Sequence, residues 1–292
     1  NYTVAEGHAS SDLDYVATSS LALNSGTMKD GVGNDATLTL ASPGATNSLG
    51  ANKALVIDGV VSTVTNVTAT NNDGYFKADD VIGITVTFSE VINVVTTNGT
   101  PRLTLETGTN DAAVTYASGT GTNTLTFNYT IIEGHISSDL DYASTSALAL
   151  NGGTIKDAAT NAANLTLVSP GTTNSLGAAK ALVVDGVIPT VASVSSTTQN
   201  GSYNAGDVIA ITVTFNEGVV VTGTPQLSLG NIIPLVDYAS GSGGATLTFN
   251  YTVNFGQTSS DLDYASTTAL TLNGGTIKDA AGNVATLTLP AP

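Results

Sequence analysis

The sequence contains no cysteine, no tryptophan, one methionine and only 7 lysine and arginine residues among its 292. Without thiols there is no disulfide framework, no zinc–thiolate or iron–sulfur centre and no thiol nucleophile, although an extracellular location remains open. Without tryptophan, and with aromatic residues at 5%, the flat platforms that line many sugar clefts are scarce. The few cations face 23 aspartates and glutamates, which leaves a net charge of −16. That balance disfavours nucleic acid and anionic membranes as partners and favours divalent cations. No run of 18 apolar residues and no signal-peptide pattern is found, so the segment is expected neither to insert into a membrane nor to carry its own export address.

What is present is repetition. The stretch headed by Asn128-Tyr129-Thr130 also begins at Asn1 and at Asn250, so the copies stand 127 and 122 residues apart. This period is too long for a solenoid unit and suits a whole domain. Punctuation at Asp58-Gly59-Val60 and Asp185-Gly186-Val187 predicts three units. Residues 1–59 read as the C-terminal half of one domain, 60–186 as a complete domain, and 187–292 as a domain lacking its last strand. The expectation is a window from a longer array.

With 41% apolar residues, 31 glycines and abundant threonine and serine, the chain reads as all-β. In residues 208–215, Ile209, Ile211, Val213 and Phe215 alternate with Thr212 and Thr214. Residues 245–253 repeat the alternation through Leu247, Phe249, Tyr251 and Val253. A period of two means one buried and one wet face. Further strands are expected at 190–196, 219–229, 235–239, 269–272 and 285–289, and one or two helical turns at 259–264 and 279–281. Seven to eight short strands per unit predict a β-sandwich.

Several strings carry a resemblance. Tyr203-Asn204-Ala205-Gly206-Asp207, Thr214-Phe215-Asn216-Glu217, Gly223-Thr224-Pro225, Ser260-Asp261-Leu262-Asp263-Tyr264 and Asp279-Ala280-Ala281-Gly282-Asn283 are similar to the tandem bacterial immunoglobulin-like (cadherin-like) repeats of large surface adhesins and extracellular fibre proteins. The resemblance implies an elongated array of sandwiches at the bacterial cell surface, acting as a stalk or extender. Calcium would often stiffen its junctions. The partners it implies are neighbouring repeats, like chains in a fibre, or a cell-surface or glycan ligand held by a head domain outside the segment.

The acidic residues recur from copy to copy. Asp12, Asp14, Asp30, Asp58, Asp80 and Glu90 correspond to Asp139, Asp141, Asp157, Asp185, Asp207 and Glu217. Calcium takes six to eight oxygen ligands, and Asp139 and Asp141, two apart, would point to one side of an extended segment. By analogy with cadherin-like junctions, the candidate metal ligands are Asp185, Glu217, Asp139 and Asp141, and at the first junction Asp58, Glu90, Asp12 and Asp14. Asp30, Asp157 and Asp279, each four residues before an asparagine, fit Asx turns.

Enzymatic readings find little support. His8 and His135 match, but Gln257 replaces them in the third copy, so a surface-loop role is expected rather than catalysis. Tyr142 and Tyr264 read as corner residues whose hydroxyls bond backbone. The glycines at 241–244 lack the strand-to-helix setting of a phosphate loop. A non-enzymatic structural segment is expected; the alternatives are a module that binds polysaccharide or cells through its threonine faces and a self-assembling filament subunit.

Overall fold

A computed structural model describes residues 1–230 and 235–292. The chain is nearly all β and sandwich-type, built from several antiparallel sheets. Its helices among the described residues are single turns at Leu49–Asn52 and Leu176–Ala179, each N-capped by a serine hydroxyl.

The second repeat is organised by one long strand, Val81–Val95. Its alternation buries Ile82, Ile84, Val86 and Phe88. It pairs antiparallel with Val64–Ala69 on one side and Thr122–Thr130 on the other, and its far end pairs with Thr154–Asp157. The register shifts between Thr87 and Ile92, which turns the strand from one partner to the next. A second sheet places Leu182–Asp185 between Gly74–Lys77, in parallel, and Ile136–Ser137, antiparallel. Leu125, Phe127, Tyr129, Leu176, Leu182 and Val184 close one continuous core.

The third repeat has a separate core around Val213, Phe215, Leu247, Phe249 and Ile277. Its main sheet runs Val191–Ser196, Val208–Phe215, Thr246–Thr252, Val236–Ser240, Gln226–Leu227, Leu270–Thr271. Val220–Thr222 pairs with Thr276–Lys278. On the wet faces, threonines meet across strands, as Thr214 with Thr246 at 3.1 Å and Thr222 with Thr276 at 2.7 Å. Residues 1–59 contribute no apolar side chain to either core and form one short pair, Ala9–Ser10 with Ile57–Asp58.

Three local expectations change. The run 219–229 divides into Val220–Thr222 and Gln226–Leu227, because Gly223-Thr224-Pro225 breaks it and Gly223 takes φ +70°. Residues 285–289 form no ladder, since their amides go to separate partners: Ala285 donates to Ile277, Thr286 to Pro189 and Leu289 to Thr267. No helix forms at 259–264 or 279–281. In the second segment the Asp279 carboxylate takes the amides of Gly282 and Asn283, closing an Asx loop instead.

The tyrosine corners are present in all three copies. Tyr15, Tyr142 and Tyr264 donate their hydroxyls to the carbonyls of Ala41, Val168 and Pro290 at 2.7, 2.8 and 3.0 Å. His135 is buried rather than on a surface loop; its Nδ1 meets the Tyr129 hydroxyl at 2.9 Å, and the two rings stack. In the third copy the Tyr251 hydroxyl donates to Gln257 Oε1 at 2.7 Å. Gln257 thus keeps the tyrosine's hydrogen bond where histidine is replaced, which accounts for this position structurally.

Candidate metal centres

Each junction is drawn tight by its own backbone. The Gly186 amide donates to the His135 carbonyl at 2.7 Å, and the Gly134 amide donates to the Gly186 carbonyl at 3.1 Å. A Cβ on Gly186 would lie 2.4 Å from the Ile132 carbonyl oxygen, and one on Gly59 would lie 2.3 Å from that of Ala5. Only glycine fits such an approach. On either side of Gly186, the Asp185 carboxylate accepts the Val187 amide at 3.2 Å, and Asp58 does the same for Val60 at 3.1 Å.

The repeat that follows then grips the linker. Asn283 Nδ2 donates to the Asp185 carbonyl at 2.7 Å, and Asn161 Nδ2 donates to the Asp58 carbonyl at 3.0 Å. Each asparagine is held in turn by its Asx partner: Asp279 takes the Asn283 amide at 2.9 Å, and Asp157 takes that of Asn161 at 2.8 Å. The second junction gains a further tie, from the Ala78 amide to Asn283 Oδ1 at 3.1 Å.

These contacts gather two acidic triads. Asp58, Glu90 and Asp157 form one, and Asp185, Glu217 and Asp279 the other; in each, the three carboxylate oxygens lie within 4.8 Å of one another. Strand pairing explains the meeting of distant residues. Asp157 pairs with Ile92, two positions from Glu90, and Lys278, next to Asp279, pairs with Val220, three positions after Glu217. The linker aspartate supplies the third corner.

Three carboxylates this close repel one another. Burial raises the pKa of Glu217 to about 7, and the charges of Asp185 and Asp279 add to the rise. Glu90 is raised by burial and by Asp58 and Asp157. Asp185 is also raised, chiefly by burial. Among the described residues the ion pairs are Lys29–Asp35 and Lys77–Asp80, so no basic side chain neutralises either triad. Glu90 Oε2 and Glu217 Oε1 are buried and accept no hydrogen bond. A buried acceptor with no donor is costly, and a bound cation would satisfy it.

The donor set fits a hard divalent cation. It is all oxygen, with no thiolate, and the nearby imidazole of His135 faces Tyr129. The two triads therefore can each hold a metal ion.

Of the expected ligands, Asp58 with Glu90 and Asp185 with Glu217 come together, while Asp12, Asp14, Asp139 and Asp141 serve elsewhere. Asp139 is exposed. Asp141 is buried and accepts the amides of Tyr142 and Gly171, both at 2.8 Å. The pair flanks Leu140, which is buried in the core; Asp139 stays at the surface and Asp141 is committed to backbone amides, so neither joins a triad. Asp14 likewise takes the amides of Tyr15 and Gly44, and these bonds outweigh burial to lower its pKa. Asp12 accepts the Leu55 amide at 3.4 Å. Asp157 and Asp279 do close Asx turns, as the sequence suggests, and the same carboxylates complete the triads. The usable signal was their recurrence in register with the linker aspartates.

No protein-family model matches the chain, and no curated protein matches its sequence. Among the described residues, no helix is long and apolar enough to cross a membrane.

Proposed function

We propose that this chain is a non-enzymatic structural segment of an extracellular or bacterial cell-surface protein, made of tandem immunoglobulin-like sandwiches whose junctions are stiffened by calcium. One observation carries the reading. At both junctions the linker aspartate is gripped by the repeat that follows through its carbonyl, which accepts from an asparagine amide, while its carboxylate lies beside an unneutralised acidic pair that a cation would bridge. A linker of two or three residues fixed in this way has little freedom to bend.

Calcium suits each triad better than magnesium does. It tolerates irregular geometry and bidentate carboxylates, whereas magnesium demands a near-ideal octahedron and keeps its waters. When bound, the ion would cancel the mutual repulsion of the three carboxylates and tie the linker to two separate segments of the next repeat. Neither step involves chemistry on a substrate, in keeping with a role in reach and spacing.

Small-angle scattering of the intact chain, with calcium and with chelator at matched ionic strength, tests the proposal. A longer maximum dimension with calcium, and a narrower distribution of shapes, is expected. Superimposable profiles would contradict it.

A further inference from the structure

The linker between the second and third repeats is clamped by a loop whose own anchor is a titratable side chain. The His135 carbonyl accepts the Gly186 amide at 2.7 Å, and the Gly134 amide donates back to the Gly186 carbonyl at 3.1 Å. His135 is in turn fixed to the core. Its Nδ1 meets the Tyr129 hydroxyl at 2.9 Å and the two rings stack, with Tyr129 on the central strand Thr122–Thr130. One side-chain contact thus connects the middle of the sheet with the linker glycine. The same clamp precedes the first junction, where the His8 carbonyl accepts the Gly59 amide at 2.7 Å and His8 Nδ1 meets the Tyr2 hydroxyl at 2.7 Å.

Comparison of the copies defines the chemistry this position needs. Beside His8, the Ala5 amide also points at Nδ1, 3.3 Å away. An N–H only donates, so Nδ1 is the acceptor and the neutral ring carries its proton on Nε2. In the third copy, Gln257 Oε1 takes both the Tyr251 hydroxyl and the Asn254 amide at 2.7 Å. The position calls for an acceptor. Glutamine supplies one at any pH, whereas histidine supplies one only while neutral.

The surroundings of His135 disfavour its charged form. The residue is 8% exposed, and burial alone moves its pKa, down from the ordinary 6.5. Its own segment carries Glu133 and, further along, Asp139; Glu106 lies beside Thr107, whose carbonyl takes the Ile136 amide. Asp79 and Asp80 sit on the turn that bonds Ile131, and Asp185, with Lys77 beyond it, on the strands that follow. Among the described residues none of these bonds the imidazole. The Asp185 carboxylate is turned to Glu217 and Asp279 instead.

We propose that His135 is an acid-operated latch on this junction: neutral, it holds its loop against Tyr129 and clamps Gly186; protonated, it loses its acceptor nitrogen, parts from Tyr129 and frees the linker. The step takes one proton from solvent onto Nδ1 and makes or breaks no covalent bond between heavy atoms. A histidine whose folded pKa lies below its unfolded value contributes its full stability above pH 6.5, and that contribution is lost as pH falls towards the folded value. The junction is therefore stiff at neutral pH and loosens in mild acid. Gln257 makes the third copy insensitive to acid at this position. No cation takes part, so the inference stands apart from the calcium reading.

The test uses the intact chain freed of metal by chelator. With His8→Gln leaving His135 as the sole imidazole, nuclear magnetic resonance should show it titrating below 6.5. Hydrogen exchange of the Gly134 and Gly186 amides is then compared between the parent and His135→Gln at pH 7.5 and at pH 5, so that intrinsic rates and the titration of the carboxylates cancel. The two proteins should exchange alike at pH 7.5. At pH 5 the parent should exchange faster, by about tenfold for an imidazole that titrates one unit low, while the Phe249 amide of the third repeat shows no difference. Scattering profiles should broaden at pH 5 for the parent and stay narrower for His135→Gln. An imidazole that titrates at or above 6.5 overturns the inference, and this measurement stands even if His135→Gln fails to fold. A ratio of parent to variant exchange that is the same at both pH values also overturns it, since His135 would then pack against Tyr129 without governing the linker.

Discussion

Replacing Glu217 by glutamine should make the chain more stable than the parent in chelator and less stable than the parent in calcium. Without a cation, burial and then the charges of Asp185 and Asp279 raise the Glu217 pKa from 4.5 to about 7. At neutral pH a rise of that size corresponds to about 3 kcal/mol of strain, at about 1.4 kcal/mol per pKa unit. Solvent reaches the half-buried side chain and weakens both the desolvation penalty and the repulsion, leaving about 1–2 kcal/mol. Glutamine keeps the shape and removes the charge, so in chelator Glu217→Gln should stabilise the third repeat by that amount. Calcium acts in the opposite direction. At a hundredfold excess over its dissociation constant, a bound ion stabilises the folded state by about 2.7 kcal/mol, and the variant forgoes that gain at this site. Thermal unfolding followed by circular dichroism can read both effects, at roughly 4 °C per kcal/mol for a domain of this size. If Glu217→Gln is no more stable than the parent in chelator, or if calcium raises both melting temperatures equally, the triad does not work as described.

The pH dependence follows from the same group. A carboxyl whose folded pKa lies above its unfolded value destabilises the fold fully above pH 7 and progressively less as pH falls towards 4.5. In chelator, denaturant melts of the third repeat should therefore show stability rising from pH 8 to pH 5, and saturating calcium should flatten or reverse that slope because the ion requires the ionised form. Gly186→Ala would place a methyl group 2.4 Å from the Ile132 carbonyl oxygen; a loss of about 1–3 kcal/mol is expected, along with a more bent scattering profile. Tyr142→Phe removes the hydroxyl donor to the Val168 carbonyl and should cost about 0.5–1.5 kcal/mol in the second repeat, with no effect on calcium uptake.

Much of the architecture was legible because alternation with a period of two maps directly onto a half-buried strand. Val208–Phe215 was predicted to the residue, and the sequence repeat located the linker aspartates and their partners Glu90 and Glu217. Completing each triad needed long-range register. Asp157 reaches Glu90 only because Thr154–Asp157 pairs with the far end of a strand more than fifty residues earlier, and a local Asx turn was sufficient reason for Asp157 and Asp279 where they stand. Asp139 and Asp141 misled for the converse reason. Two carboxylates two positions apart suggest a shared ligand, but Asp139 stays at the surface and Asp141 is committed to the amides of Tyr142 and Gly171, which leaves neither for the junction. The strand at 285–289 failed because its amides divide among three partners, which no local pattern encodes. His135 was misplaced because its buried partner Tyr129 becomes evident only once the loop folds back.

Calcium titration of the intact chain by calorimetry at neutral pH tests the central claim most directly. The account predicts two saturable sites per chain, one lost in Glu90→Gln and the other in Glu217→Gln, while Asp139→Asn retains both. Absence of saturable uptake, or two sites that persist in both glutamine variants, would contradict it.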